Sequence, residues 1–361
     1  MTMKVGIIGL PNVGKSTLFN VLTKSKVLEA NYPFATINPN KGTVLVPDKR
    51  FEKLANIFQS KKIIPTQIEF LDIAGLVENA SKGYGLGNQF LGHIRDVDAI
   101  CHVIRCFENP QIINIMEKVD PLKEIEIIET ELILSDLEQI EKRIQKINKN
   151  QKNLKEIQIL EKIKKNIFQE KILSKQKLNS EEIKIIKNFN FISLKPKIYI
   201  GNFQEQDLNN LSKNVFFQKM NTYSEEKKIN FVPICASLEK KKLNLNKKET
   251  EEIINIYKST KNILQEIIKK SYEILNLKTY FTAGPKEIKA WSFLTGMTAP
   301  ECAGLIHTDF QTGFIKAEVF NYEDLIKYQN LTNLKKKGKL RLEGKKYLVK
   351  DGDIITFFFN V

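Results

Sequence analysis

The chain has 361 residues, 42% of them hydrophobic and 27% charged, and its 57 Lys and Arg outnumber 42 Asp and Glu for a formal charge of +15. This length accommodates two or three domains with real cores, and the balance excludes wholesale disorder, collagen-like repeats and a mucin-like stalk. No run approaches the ~20 apolar residues needed to cross a bilayer, residues 1–6 carry no secretory signal, and four scattered cysteines without a CxxC pair, beside three histidines, offer neither a disulfide framework nor a zinc knuckle. A soluble, reduced, cytoplasmic protein with no membrane contact is expected. Its cationic excess fits a polyanionic partner, and equally the Lys-, Asn- and Ile-rich usage of AT-rich coding.

Lys4-Val5-Gly6-Ile7-Ile8-Gly9 is a short apolar β-type run. A glycine-containing loop follows, and the spacing of Leu18, Val21 and Leu22 predicts a helix over 16–22. Residues 67–72 and 99–105 read as strands, the second after a helix ending near Asp96; residues 197–201 and 230–235 repeat the pattern. Strands alternating with helices predict a mostly parallel sheet covered on both faces. Between 121 and 194 the texture changes. Ile and Leu recur every three or four residues among Lys, Glu and Gln, no Pro or Gly interrupts 122–195, and Ser180 before Glu181 and Glu182 reads as a helix start. This predicts a helical hairpin, coiled-coil-like, inserted into the α/β domain. Residues 141–190 hold fourteen Lys or Arg against six Glu, either as a solvated face or as a nucleic-acid or ribosomal contact. After a helical stretch near 251–275, residues 279–361 break into short β-type runs (313–320, 347–350, 354–359) separated by turn signals such as Asp351-Gly352-Asp353, which predicts a small, separate β-rich module.

Gly9-Leu10-Pro11-Asn12-Val13-Gly14-Lys15-Ser16 fits G-x-x-x-x-G-K-[ST] between a strand and a helix. Glycines let successive backbone N–H groups turn inward around phosphates, and the helix N-terminus adds partial positive charge. Lys15 is expected to bridge the β- and γ-phosphates and Ser16 to place its hydroxyl on Mg²⁺. Asp72 ends an apolar strand and begins Asp72-Ile73-Ala74-Gly75, the position of a carboxylate that holds Mg²⁺, usually through water. Gly75 would free its backbone to donate to the γ-phosphate. Thr36 lies between these motifs, where a switch threonine would reach Mg²⁺; as an isolated signal it also reads as an exposed loop residue.

These motifs, together with residues 31–40, 83–91, 99–108, 280–291 and 304–310, resemble the YchF/Obg-like ATPase family of the translation-factor-related P-loop GTPase class, over essentially the whole chain. The resemblance implies an α/β P-loop nucleotide-binding domain (1–120 and 195–277) with an inserted helical arm (121–194) and a C-terminal β-grasp TGS domain (278–361). It implies that Asn12, Val13, Gly14, Lys15, Ser16 and Thr17 hold Mg-ATP, with Ser16, Thr36 and Asp72 at the metal. Leu76 stands where many GTPases place a water-orienting Gln, so hydrolysis is expected from positioning and electrostatics, completed by a partner or a monovalent cation. Asn12 sits where related P-loops ligate K⁺. Asn114 stands where some relatives carry a His, and it cannot act as a general base.

Guanine recognition normally uses N-K-x-D, whereas the strand at 198–200 leads into Asn202-Phe203-Gln204-Glu205. The resemblance therefore implies ATP over GTP, with Asn202 and the Phe203 backbone near the adenine. Glu205 takes the acidic position, and Cys235-Ala236-Ser237 the last base-contact loop. His93, His102 and His307 read as structural, Cys235 as a small buried hydrophobe, and the Lys-rich 335–341 as either an RNA contact or a solvated loop. The implied protein is a monomeric, slow ATPase acting as a nucleotide-dependent switch on the ribosome, engaging the large subunit and rRNA through the arm and TGS domain. A GTPase of ribosome assembly or translation, and a non-hydrolysing nucleotide-gated RNA scaffold, are the alternatives.

Overall fold

A computed structural model describes residues 2–24, 40–73, 86–113, 116–150, 154–168, 180–256 and 263–360. In chain order the elements are β1 (Lys4–Ile8), α1 (Lys15–Lys24), β2 (Lys41–Leu45), α2 (Arg50–Phe58), β3 (Lys62–Ile64), β4 (Gln67–Asp72), α3 (Leu86–Arg95) and β5 (Ala99–Arg105). The helices α4 (Pro121–Asn150), α5 (Leu154–Phe168) and α6 (Ser180–Phe189) follow. Then come β6 (Lys197–Asn202), α7 (Val215–Lys227), β7 (Asn230–Ile234), α8 (Ala236–Lys242), α9 (Lys247–Ile256) and α10 (Ile263–Ile274). The chain ends with β8 (Leu277–Ala283), β9 (Glu287–Leu294), β10 (Phe314–Asn321), β11 (Arg341–Glu343) and β12 (Asp353–Phe359), joined by short helical turns.

The strands fall into two sheets. The first has the order β2-β4-β1-β5-β6-β7. It is parallel except for β2, which runs antiparallel to β4 at the edge. Every residue of β5 is buried, as a strand covered on both faces requires. β1 lies between β4 and β5, with Ile7 beside Asp72 and Ile8 beside His102. The loops that leave β1, β4, β5, β6 and β7 therefore emerge along one edge, the place where open α/β sheets hold ligands.

The arm begins at Asp120, whose side chain accepts from the Leu122 and Lys123 amides, with Pro121 at the first helical position where no N–H is required. Where a hairpin is expected, α4 and α5 pack through Ile140, Ile147, Leu160 and Ile163, and α6 adds a third helix through Ile185, Ile186 and Phe189. The root of the arm is pinned by Asp136 on α4. Its fully buried carboxylate accepts from the Ile192 and Ser193 amides and the Ser193 hydroxyl, and lies 3.5 Å from Arg95. The Arg143–Glu156 and Lys164–Glu141 pairs across the helices each keep one partner largely in solvent, where screening leaves an ion pair little to contribute.

The second sheet, ordered β11-β10-β12-β8-β9-β3, departs from the predicted separate module. Its last strand, β3, and the helix α2 come from the segment between β2 and β4, far upstream. α2 buries Phe51 and Leu54 beside Phe281, Ile288 and Ile354, and Arg50 bridges Asp48 and Asp351 while lying 4.8 Å above the Phe281 ring. Residues 347–350, expected as a strand, form instead the single bridge of Leu348 to Thr298, with main-chain bonds to the 297–299 turn and bonds from the Tyr347 hydroxyl and the Lys350 amide to Asp353. Among the described residues no helix is long and apolar enough to cross a membrane.

Candidate functional site

The loop after β1 can close on itself only because of its glycines. Gly9 has φ 154° and Gly14 φ 105°; a Cβ at Gly9 would stand 2.3 Å from the Val103 carbonyl oxygen, and one at Gly14 2.5 Å from Asn202 Nδ2. Asn12 between them also takes a left-handed conformation, φ 63°, which Asn tolerates better than most residues. Lys15 opens α1. Its buried ammonium donates to the Leu10 carbonyl at 2.8 Å, so the side chain is folded back over the loop. Burial lowers the Lys15 pKa, and the charges of Asp72 and Glu124 partly restore it. Asp72, at the end of β4, has its Oδ1 buried without a hydrogen-bond partner among the described residues. A carboxylate oxygen left open, with the Ser16 hydroxyl in the first turn of α1, is a donor set suited to Mg²⁺, which needs few protein ligands when phosphates and water supply the rest.

Asn202 ties three loops together. Its Nδ2 donates to the Val13 carbonyl at 2.9 Å, and its Oδ1 accepts from the Ala236 amide at 3.0 Å. The Phe203 amide is taken by the Ile234 carbonyl at 2.7 Å. Glu205 is held from two sides: Lys241 donates to Oε2 at 2.9 Å and the Ser237 hydroxyl to Oε1 at 3.3 Å. Cys235 is buried 3.2 Å from the Ser237 hydroxyl, and burial raises its thiol pKa, in keeping with a packing residue.

These loops enclose a cleft of about 1140 Å³, roomy enough for a nucleotide. Asn12, Gly14, Lys15, Ser16, Thr17, Asn202, Phe203, Glu205 and Ser237 all line it. Val13 lies beneath and acts through its carbonyl. Thr36, Gly75, Leu76 and Asn114 lie outside the described residues. His102 is buried edge-on to Tyr199, with its pKa lowered to about 3 by burial; His307 caps a short helix by accepting from the Asp309 amide. Both are structural.

Sequence reasoning missed one wall of the cleft, residues 107–112, together with Gln204, Gln206 and Lys240. It also missed Arg105 and Glu124 behind that wall. The one available signal was a basic residue closing an otherwise apolar seven-residue strand. Glu124, in the first turn of α4, is 1% exposed. Burial pushes its pKa up to about 7 from an ordinary 4.5, against the opposing pull of the Arg105 amide and of the Arg105 and Lys15 charges. Between those two values the folded protein binds a proton that the unfolded chain has released, so the stability this site contributes is full below about pH 4.5 and lost as pH rises through 7. Glu124→Gln should flatten that decline, with a gain of ~2 kcal/mol at pH 8 relative to pH 5. Denaturant unfolding of both proteins at the two pH values measures it, and parallel profiles would show that Glu124 carries no such burden.

Comparison with known proteins agrees with this geometry. A family model described as a 50S ribosome-binding GTPase matches residues 4–171, and the YchF GTPase C-terminal model, described as a protein of unknown function, matches residues 277–360. The chain is 46% identical to the ribosome-binding ATPase YchF of Haemophilus influenzae and 45% identical to that of Bacillus subtilis, covering the full length of both proteins in each case. Among solved structures it resembles the YchF GTPase of Schizosaccharomyces pombe, with a TM-score of 0.87 and 36% identity, covering 99% of this chain and 98% of that one.

Proposed function

This chain belongs to the YchF family, and on that premise we propose that it binds and slowly hydrolyses Mg-ATP as a nucleotide-dependent switch on the ribosome. The observation that carries this reading is the convergence, at one sheet edge, of a P-loop lysine hooked on its own loop and an Asp72 carboxylate oxygen without a partner among the described residues. Main-chain amides of 12–17 and the Lys15 ammonium grip the phosphates. Ser16 and Asp72, with Thr36, would hold Mg²⁺, which neutralises charge on the β- and γ-phosphate oxygens. Gly75 would donate its amide to the γ-phosphate in this reading, and Leu76 offers no hydrogen bond with which to orient the attacking water. Catalysis is then positioning and electrostatics.

The preference for ATP rests on Glu205. To read guanine, a carboxylate must accept from N1 and N2 of the base, and here both oxygens are engaged by Lys241 and Ser237. Freeing them would break an ion pair, whereas adenine presents no donor pair that demands a carboxylate. ATP should bind at least about tenfold more tightly than GTP. Parallel titrations in Mg²⁺ test this, and tighter GTP binding would overturn the assignment of the base.

The ribosome enters through the ribosome-binding relatives and through charge. The basic stretch 141–190 and the exposed Lys335, Lys336, Lys337 and Lys339 of the C-terminal domain, read as a TGS domain, offer surfaces for rRNA of the large subunit. The protein acts as a monomer in the cytoplasm, where ribosomes are.

A further inference from the structure

The wall between β5 and α4 is organised by one side chain. Arg105, 2% exposed, turns back on the chain that follows it. Its Nε donates to the Phe107 carbonyl at 3.1 Å, Nη1 to Ile112 at 3.2 Å and Nη2 to Asn109 at 3.2 Å, while the guanidinium lies 4.6 Å over the Phe107 ring. All three of these carbonyl-bearing residues line the nucleotide cleft. The wall is then stitched at both ends. Asn12 of the P-loop donates to the Ile113 carbonyl at 3.3 Å, and Gln204 of the base loop donates to the Glu108 carbonyl at 2.7 Å. Behind it, the Arg105 amide donates to Glu124 Oε2 at 3.0 Å. The other oxygen of Glu124 is buried and has no hydrogen-bond partner among the described residues.

We propose that Arg105 is a positioning residue for nucleotide binding, and that Glu124 ties it to the first turn of α4, so that the cleft wall and the root of the arm form one piece. This rests on the reading of the cleft as an ATP site. A planar guanidinium presents its donors in a fixed fork, which lets a single group gather carbonyls from Phe107, Asn109 and Ile112. An ammonium at the same place cannot reach all three. Without Arg105 the loop must be ordered by the incoming nucleotide, and that ordering free energy is subtracted from binding. The wall spans the base side and the P-loop but contains none of the γ-phosphate ligands. Its loosening should therefore weaken ATP and ADP alike and raise KM with kcat unchanged.

The test uses the full-length protein in Mg²⁺, titrated with fluorescent ATP and ADP analogues and assayed for phosphate release. Arg105→Lys should weaken both nucleotides about tenfold and speed hydrogen exchange of the Ile112 amide. Glu124→Ala should weaken both about threefold to fivefold, and Glu124→Gln, which keeps an acceptor for the Arg105 amide, should restore wild-type affinity. Should Arg105→Lys fail to fold, the Glu124 pair carries the test alone. Wild-type affinity in Arg105→Lys overturns the positioning role. Equal impairment in Glu124→Ala and Glu124→Gln, or none in either, overturns the tie to the arm. Wild-type protein that binds no Mg-ATP would sink the function itself, a result distinct from either.

Discussion

Lys15→Ala should cut ATP hydrolysis ~10³-fold or more while leaving the melting temperature at or above that of the wild type. The two halves of this expectation have one cause. The Lys15 ammonium is buried, and among the described residues it is offset by the Leu10 carbonyl and by the more distant charges of Asp72 and Glu124. A desolvated cation so placed costs the folded state free energy, and Ala is also the better helix former at the start of α1. The compensation comes when phosphate oxygens take the ammonium's hydrogen bonds. Removing it should thus abolish the gain of ATP over ADP in binding while sparing the fold. Differential scanning calorimetry beside phosphate-release kinetics separates the two. A variant that hydrolyses ATP at the normal rate would remove the P-loop assignment.

Phe51→Ala should destabilise the C-terminal domain by ~3–4 kcal/mol, although residue 51 precedes the first strand of that domain by more than two hundred positions. Phe51 is 7% exposed and meets Phe281 edge to face, with ring centroids 5.6 Å apart. Its truncation leaves a cavity between α2 and β8 that the sheet cannot collapse to fill. The reporter is built in: Trp291, the one tryptophan of the chain, lies on β9, the strand that pairs with β3, and stacks beside Tyr280. Urea unfolding followed by Trp291 fluorescence should show a lowered midpoint. An unchanged one would mean that α2 does not share that core. The segment concerned joins β2, which follows Thr36, to β4, which precedes Gly75 and Leu76, so the C-terminal sheet is covalently stitched to the strands that carry both loops.

Much of the site could be read from residue order. The eight residues from Gly9 to Ser16 carry their own geometry, because two left-handed glycines, a lysine and a hydroxyl at those spacings permit few arrangements other than a loop capping a helix. β4 and β5 announced themselves as apolar runs of strand length, and α4, α5 and α6 as sequence without a helix breaker. In each case the signal is local: backbone propensity and apolar period act over a few residues and hold in any surroundings.

Address is another matter. α2 has an apolar stripe that would suit either sheet, and nothing within 50–58 says that it packs on Phe281 instead of on β4. Nor does the short run Lys62-Ile63-Ile64 declare a partner 225 residues downstream. Glu124 stands among a dozen similar acids of the arm, and only its position facing the end of β5 makes it buried and half unpartnered. Arg105 resembles any charge closing a strand until its guanidinium is seen gathering the carbonyls of the cleft wall. Chain order determined the phosphate loop, the strand-helix alternation and the helices α4 to α6, since short-range sterics and hydrophobic period suffice for them. The tertiary structure alone decided which core each surface joined and which charges lost their water, because burial is a property of neighbours brought together from distant parts of the chain.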